Sequence, residues 1–341
     1  MAEPLAELSG YTTLRVGGPA AELVVAGTEA DLIEAVRSAD EAGTPVLVLG
    51  GGSNVLVADE GFPGRVVVVR TSGVLADADA CGGAVVRVAA GESWDALVER
   101  AVSSGWIGIE ALAGIPGLVG STPIQNVGAY GQEVAGTIAS VRCWDRQTSS
   151  VRTLFNRDCR FGYRTSRLKE EPGRWVVLEV VFQFRLGDLG LPVGYAELAE
   201  RLGVAVGDRV PSAEVREAVL ALRRAKGMVL DPADHDTWSA GSFFTNPVVA
   251  PDLVPAGAPS WEQPDGRAKT SAAWLIEHAG FARGHGTGAA ALSSKHTLAL
   301  TNRGDATAAD LLALAAEVRE GVRDRFGITL VNEPVLVGCS F

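Results

Sequence analysis

Residues 108–134, "GIEALAGIPGLVGSTPIQNVGAYGQEV", contain six glycines and two prolines and yet remain apolar. A linker that rich in glycine is normally polar and mobile. Apolar glycine serves instead where the backbone must pass close to another surface, such as a large flat ligand. A second segment of this kind, "LGGGSNVLV", spans Leu49–Val57. Successive N–H groups at Gly50, Gly51 and Gly52 can form an anion-holding concavity, to which Ser53 and Asn54 add side-chain donors. Two such segments in one chain predict a two-part ligand, with a pyrophosphate on one and a ring system on the other. Gln125, Asn126 and Tyr130 would supply polar contacts to the ring. The competing readings are a plain tight turn at 49–57 and a structural Ω-like loop at 108–134. Familiar nucleotide motifs are absent: the glycine register from Gly50 ends on Val55 and runs on into strand-like "VLVAD", and no Gly-Lys-Ser/Thr occurs.

Around these segments the first hundred residues alternate strands and helices. "TLRVGGPAAELVVAG" reads as two short strands broken by Gly17, Gly18 and Pro19. "TEADLIEAVRSADEAG" places Leu32, Ile33 and Val36 on one helical face, with Thr28 as N-cap and Gly43 as terminator. "TPVLVLG", "GRVVVVRTSG" and "GGAVVRVAAGES" read as strands, and "SWDALVERAVSSG" as a helix. A hairpin follows with its turn near Asp145–Ser149. In "RWVVLEVVFQFRL", Val176, Leu178, Val180, Phe182 and Phe184 alternate with Val177, Glu179, Val181, Gln183 and Arg185. After the amphipathic helix "SAEVREAVLALRRAKG", the loop "KGMVLDPADHDTWSAG" marks the clearest domain boundary. A long helix is expected from Ala308 to Phe326, then a closing strand "ITLVNEPVLVG".

The chain has 341 residues and a net charge of −11. That length suits two or three domains, and the charge argues against a non-specific polyanion-binding surface. No apolar run is long enough to span a membrane, and the N-terminus shows no basic flank leading into an apolar core. A cytoplasmic protein is therefore expected. Cys81, Cys143, Cys159 and Cys339 form no Cys-x-x-Cys pair and read as reduced, mostly buried thiols. His235, His278, His285 and His296 form no metal-binding helix, so no metal is expected.

Three further stretches carry chemistry. "CRFGYRTSRLK" gathers Arg160, Arg164, Arg167 and Lys169 around two aromatics; it is either a solvated charged face or a carboxylate or phosphate clamp. In "GSFFTNP", Ser242 is either a turn cap or a proton donor to a very basic partner such as an enolate; no nucleophile elbow surrounds it. In "LVNEPVLVG", Glu333 interrupts an apolar strand pattern. That is costly unless the carboxylate is paired or has a catalytic role.

Together these segments resemble the UDP-N-acetylenolpyruvoylglucosamine reductase family. The resemblance runs through "TTLRVGGPA", "VLVLGGGSNVLVADEGFPG", "GIEALAGIPGLVGSTPIQNVGAYGQEV", "CRFGYRTSRLK", "AGSFFTNP", "AAWLIEHAGF" and "ITLVNEPVLVG", from Thr12 to Gly338. It implies an α+β chain with a vanillyl-alcohol-oxidase-like (PCMH-type) FAD-binding fold of two subdomains plus a C-terminal α+β substrate-binding domain. The expected divisions are 1–70 and 71–225 for the two FAD-binding subdomains, 226–330 for substrate binding, and 331–341 for a terminal strand carrying Glu333. It also implies non-covalent FAD, NADPH as hydride donor, and reduction of UDP-N-acetylglucosamine enolpyruvate to UDP-N-acetylmuramate in peptidoglycan precursor synthesis, and hence in cell-wall biogenesis, cell shape and division.

By the same resemblance Arg164, Ser242 and Glu333 are catalytic: Ser242 donates the proton, while Arg164 and Glu333 hold the enolate. FAD would lie on Gly50, Gly51, Gly52, Ser53, Asn54, Gly114, Ile115, Pro116, Gly120, Ser121, Gln125, Asn126, Gly128, Ala129 and Tyr130. Substrate would meet Tyr195, Lys226, Asn246 and His296, with Tyr195 on the closing loop of the family's longer class. One departure is Thr245, where the family pattern has lysine. A monomer without nucleic-acid or membrane partners is expected. The alternatives are another FAD-dependent oxidase of the same fold, and a non-catalytic flavoprotein that binds a nucleotide sugar.

Overall fold

The computed structural model describes residues 6–79 and 82–341, which divide into two compact units. The larger comprises residues 21–51 and 63–224; the other comprises residues up to 20, 52–62 and 225–341. The expectation for Cys81 lies outside the described residues.

In the larger unit, the strands Ala20–Ala26, Phe62–Val69 and Val46–Leu49 form a three-stranded sheet in that spatial order. Val46–Leu49 runs parallel to Phe62–Val69, with Leu47 opposite Val66. The helix Glu29–Glu41 follows the first strand. It starts in a capping box, Thr28 accepting from Asp31 N while Asp31 accepts from Thr28 N, which satisfies two N–H groups the helix cannot.

A second, antiparallel sheet runs Ser150–Phe155, Ile138–Asp145, Trp175–Leu186, Gly83–Ala89 and Val74–Asp79, with Trp106–Ile107 added at one end. Its axis is the long strand Trp175–Leu186. As the alternation predicts, Val176, Leu178, Val180, Phe182 and Phe184 are at most 2% exposed, whereas Gln183 and Arg185 face solvent. Phe182 packs against Trp94 and Phe184 at 6.2 and 5.5 Å between ring centroids. The aromatic stack thereby presses the helix Trp94–Ser103 onto the sheet. The expected hairpin closes with Asp145 opposite Ser150.

The other unit is built around the helices Ala308–Phe326 and Ala272–His278, whose apolar faces share a core with Leu14, Leu56, Phe243 and Phe244. The long helix has the expected ends, with a Thr307–Asp310 capping box at its start. Gly327 closes it at φ 69°, a left-handed position natural to glycine. Val55–Val57 pairs in parallel with Val335–Val337. Of "ITLVNEPVLVG", only these last three residues form a strand.

One local expectation fails, and one strand was not anticipated. Thr13–Gly18 is not a strand: Arg15 sits at φ 54°, and Thr12 Oγ1 donates to Val16 O at 3.0 Å, folding the stretch into a turn. The strand Val74–Asp79 gave no signal, because its residues are almost all exposed and carry no apolar alternation. Among the described residues, no helix is long and apolar enough to cross a membrane. Cys143 and Cys159 are buried free thiols and Cys339 is half-buried. Burial pushes the Cys159 thiol up to about 11, so it stays protonated at neutral pH.

Candidate active site

In the larger unit the two glycine-rich segments meet backbone to backbone. A Cβ added at Gly51 would sit 2.8 Å from Gly117 Cα, and one at Gly50 would sit 2.7 Å from Ser121 Oγ. Side chains there would push the segments apart. The N–H groups of Gly50 and Gly51 have no hydrogen-bond partner among the described residues. That leaves two consecutive donors where the segments meet, a fitting cradle for an anionic group such as the pyrophosphate of a dinucleotide.

The rest of 108–134 is fixed by its own polar groups. Asp95 Oδ1 accepts from Gly114 N at 2.6 Å, and the N–H groups of Gly120 and Ser121 bond to Ala90 O and Leu118 O. Ile115 and Pro116 lie half-buried between them, as do Gln125, Gly128 and Ala129 further on. Asn126 is buried and left-handed, at φ 48°. Its amide donates to Glu133 Oε2 and to Gly162 O, and its carbonyl accepts from Ala135 N. With its amide group engaged in this way, Asn126 is left to meet a ligand through its backbone or its shape.

Tyr130 is also left-handed, at φ 49°. Its ring meets that of Tyr195 edge-on at 5.7 Å, so a residue expected at the cofactor touches one expected at the substrate. Burial pushes the Tyr130 hydroxyl up to about 12 and raises Tyr195 less; both remain neutral donors at working pH. Tyr195 is 45% exposed and stands just before the helix Ala196–Leu202.

Arg164 belongs to the same unit. It is the second central residue of a tight turn in which Gly162 N donates to Thr165 O and Thr165 N returns the bond to Gly162 O. At φ 54° its backbone is left-handed, a conformation that costs a residue with a Cβ about 1–2 kcal/mol. Such strain collects at functional sites. The guanidinium donates through Nη2 to Gly128 O at 2.9 Å. The surrounding basic cluster is not a free clamp. Arg160 pairs with Glu170 at 2.9 Å and Arg167 with Glu171 at 2.9 Å; Lys169 Nζ donates to the carbonyl of Arg164 at 3.0 Å.

In the other unit the segment that follows Ser242 runs beside the one that carries Glu333. Phe243–Thr245 lies antiparallel to 331–333: Glu333 N donates to Phe243 O at 2.8 Å and Thr245 N to Val331 O at 3.0 Å. Phe243 and Phe244 are 1% exposed, so the aromatic pair anchors the strand and leaves Ser242 at its end, after Gly241 at φ 70°. The half-buried Ser242 hydroxyl has no hydrogen-bond partner among the described residues. Asn54 joins this assembly, donating to Glu333 O at 3.3 Å and accepting from Val335 N. Gly52, with φ 61°, has room for no Cβ, which would lie 1.9 Å from Tyr11 O; Ser53 is half-buried beside it. Thr245, in the place of the family's lysine, turns its hydroxyl to Val331 O.

The remaining expected substrate residues also lie in this unit. Asn246 Oδ1 accepts from Ala272 N and supports the start of the helix Ala272–His278. Lys226 is half-buried just past the helix Ser212–Ala225. His296 Nδ1 accepts from Leu298 N, which puts the proton of the neutral ring on Nε2.

Three residues escaped the sequence reading. Glu110, 0% exposed, accepts from Gly108 N, Gln132 Nε2 and Leu191 N. Asp236, 6% exposed, accepts from Ser294 N, Ser294 Oγ and Arg303, pinning the loop that carries His296. Burial alone would raise its carboxyl; Ser294 and Arg303 outweigh that and hold it below the usual range. Arg223 is drawn down to about 10 by burial, which still leaves it charged, with Tyr130, Asp95 and Arg164 acting on it. For Arg223, a basic residue in the last turn of the amphipathic helix was the one available signal.

A family model described as "FAD binding domain" matches residues 20–153. This match and the glycine cradle define the chain as an FAD-dependent oxidoreductase. A second model, "UDP-N-acetylenolpyruvoylglucosamine reductase, C-terminal domain", matches residues 231–337. A UDP-N-acetylenolpyruvoylglucosamine reductase from Cutibacterium acnes is 61% identical over 340 residues, covering 99% of this chain and 90% of its own length. One from Streptomyces avermitilis is 55% identical, covering 98% and 94%. The crystal structure of the reductase from Thermus caldophilus aligns with a TM-score of 0.68 at 27% identity, covering 98% of both chains. The chain belongs to the UDP-N-acetylenolpyruvoylglucosamine reductase family.

Proposed function

We propose that the protein reduces the enolpyruvyl group of UDP-N-acetylglucosamine enolpyruvate to give UDP-N-acetylmuramate for peptidoglycan, acting as a cytoplasmic monomer with NADPH as the reductant. FAD held by the two glycine-rich segments would supply the hydride chemistry that connects NADPH to the β-carbon of the enolpyruvyl double bond. The chain's residues then handle the charge and the proton. Negative charge develops on the α-carbon and its carboxylate. Arg164 meets that charge with a fixed guanidinium, and Glu333, in the neutral form that this role requires, donates to the same enolate. Ser242 delivers its proton to the α-carbon. Each preorganised donor of this kind is worth roughly 3–4 kcal/mol in comparable sites.

The observation that carries this reading is the register joining Phe243 to Glu333, with the hydroxyl of the neighbouring Ser242 uncommitted to any acceptor among the described residues. A hydroxyl kept only as a turn cap would be spent on the backbone. Gly50–Asn54, Gly114–Pro116, Gly120, Ser121, Gln125, Asn126 and Gly128–Tyr130 would enclose FAD. Tyr195, Lys226, Asn246 and His296 would meet the nucleotide sugar, within a substrate-binding part spanning 226–330. Tyr195 suits a closing role, being half out of contact and touching Tyr130 by one ring edge. The absence of a lysine at Thr245 removes one cation without touching the proton donor.

Visible absorbance of the purified protein under anaerobic conditions tests the reading. Bleaching by NADPH, and recovery on adding UDP-N-acetylglucosamine enolpyruvate, is the expected result. Recovery with oxygen alone would favour a flavin oxidase of the same fold.

A further inference from the structure

Arg164 is held at both ends in a conformation its own side chain disfavours. Its guanidinium is tied to Gly128 O at 2.9 Å, and its carbonyl accepts from Lys169 Nζ at 3.0 Å. Lys169 is itself well placed to hold that carbonyl. It lies in the short helix Arg167–Glu170, whose first turn is capped by Ser166: the Oγ accepts from Leu168 N and Lys169 N and donates to Ile124 O at 2.6 Å. The same serine therefore fixes Lys169 to the glycine-rich segment that receives the Arg164 guanidinium. The turn bonds between Gly162 and Thr165 hold the backbone closed but do not select left-handed φ at Arg164; turns with φ above zero at the second central position normally use glycine or asparagine there. An ammonium on the Arg164 carbonyl fixes ψ of that residue; with the turn bonds closing the backbone on either side, both of its peptides are then held, and with them the direction of the Arg164 Cα–Cβ bond.

We infer that Lys169 is a positioning residue for Arg164, its ammonium locking the left-handed peptide that aims the guanidinium at the developing enolate. The inference rests on the reading of Arg164 as the enolate's partner. Lys169 has no part in the reduction of FAD by NADPH, because that step develops no charge on the substrate. Its loss leaves the guanidinium present but misaimed, so the defect falls on the substrate half-reaction and depends on Arg164 being there.

The test is a double-mutant cycle on the FAD-loaded full chain with Lys169→Met, Arg164→Ala and the pair, alongside Lys169→Arg. NADPH reduction and substrate-driven reoxidation are followed separately by anaerobic stopped flow, with thermal midpoints as a control. Lys169→Met is expected to slow reoxidation about 10- to 100-fold, the weight of one charged hydrogen bond, and to leave reduction within about twofold. Lys169→Arg recovers part of the loss, and Lys169→Met adds nothing further in an Arg164→Ala background. Wild-type reoxidation in Lys169→Met, equal slowing of both half-reactions, or full additivity with Arg164→Ala would overturn the inference. Should Lys169→Met fail to fold, Lys169→Gln enters the same cycle with the same criteria. Unimpaired reoxidation in Arg164→Ala would instead overturn the reading of Arg164 beneath it.

Discussion

Replacing Glu110 by glutamine keeps shape and volume and removes one acceptor, so its cost can be worked from three bonds. Oε1 accepts from Gln132 Nε2 at 2.9 Å and Leu191 N at 2.6 Å, and Oε2 accepts from Gly108 N at 2.7 Å. The amide oxygen of Glu110→Gln must take the Oε1 position, because the amide nitrogen there would oppose two donors. The nitrogen then faces Gly108 N–H, and two donors meet in a site with no exposure. One buried donor without an acceptor costs about 1–3 kcal/mol. The two remaining bonds also lose the charge of their acceptor, bringing the total to about 2–4 kcal/mol. For a unit of this size, about 2–4 °C of melting temperature goes with each kcal/mol, giving a drop of about 4–16 °C by calorimetry. Hydrogen exchange adds a local readout. Protection at Leu191 N–H should fall, loosening the 187–195 segment that leads to Tyr195, while the strand Ile138–Asp145 stays protected. Glu110→Ala, which orphans all three donors, must be worse. A Glu110→Gln protein with an unchanged midpoint and unchanged exchange at Leu191 would refute the reasoning, as would an alanine variant more stable than the glutamine one.

Gly51→Ala places a Cβ 2.8 Å from Gly117 Cα; overpacking against backbone costs about 1–3 kcal/mol. FAD affinity, read by flavin fluorescence, should fall at least tenfold, whereas Gly50→Ala, which meets the rotatable Ser121 hydroxyl, should lose less. Asp145 is held at about 2, chiefly by the hydrogen bonds from Arg174. Its folded pKa lies below the unfolded one, so the pair stabilises the fold above about pH 4 and this contribution is lost as the pH falls toward 2. Arg174→Met should lower the melting temperature at neutral pH, and its difference from wild type should narrow between pH 4 and 2.

How much of this could be read in advance depends on whether the physics is local. The strand Trp175–Leu186 was legible because one face is buried along its whole length, and burial on one face writes a period of two into the residues. The helix Ala308–Phe326 was expected over the right residues, and the structure shows what fixes its ends: Thr307, Asp310 and Gly327 each perform a capping task that only a few residue types can. The glycine-rich segments announced a close approach but not its partner: that Gly51 lies against Gly117 depends on the 65 residues between them. The basic cluster stayed open between two readings for the same reason. Arg160 and Arg167 are neutralised by Glu170 and Glu171, leaving Arg164 distinguished by backbone strain rather than by charge. Glu110 sits in an apolar run with nothing periodic about it, and its three donors come from residues 108, 132 and 191. Ser242 and Glu333, 91 positions apart, were linked in the sequence by the family resemblance alone; the register that sets Phe243 against Glu333 depends on the fold.

The most direct test of the central claim is a single turnover of Ser242→Ala. The FAD-loaded variant is reduced anaerobically with NADPH, freed of excess nucleotide and mixed with UDP-N-acetylglucosamine enolpyruvate, while flavin absorbance is followed. Reduction at the wild-type rate with reoxidation slowed about 10²- to 10⁴-fold is the predicted result, the range for loss of a positioned proton donor. Reoxidation at the wild-type rate would show that the proton comes from elsewhere and would contradict the account.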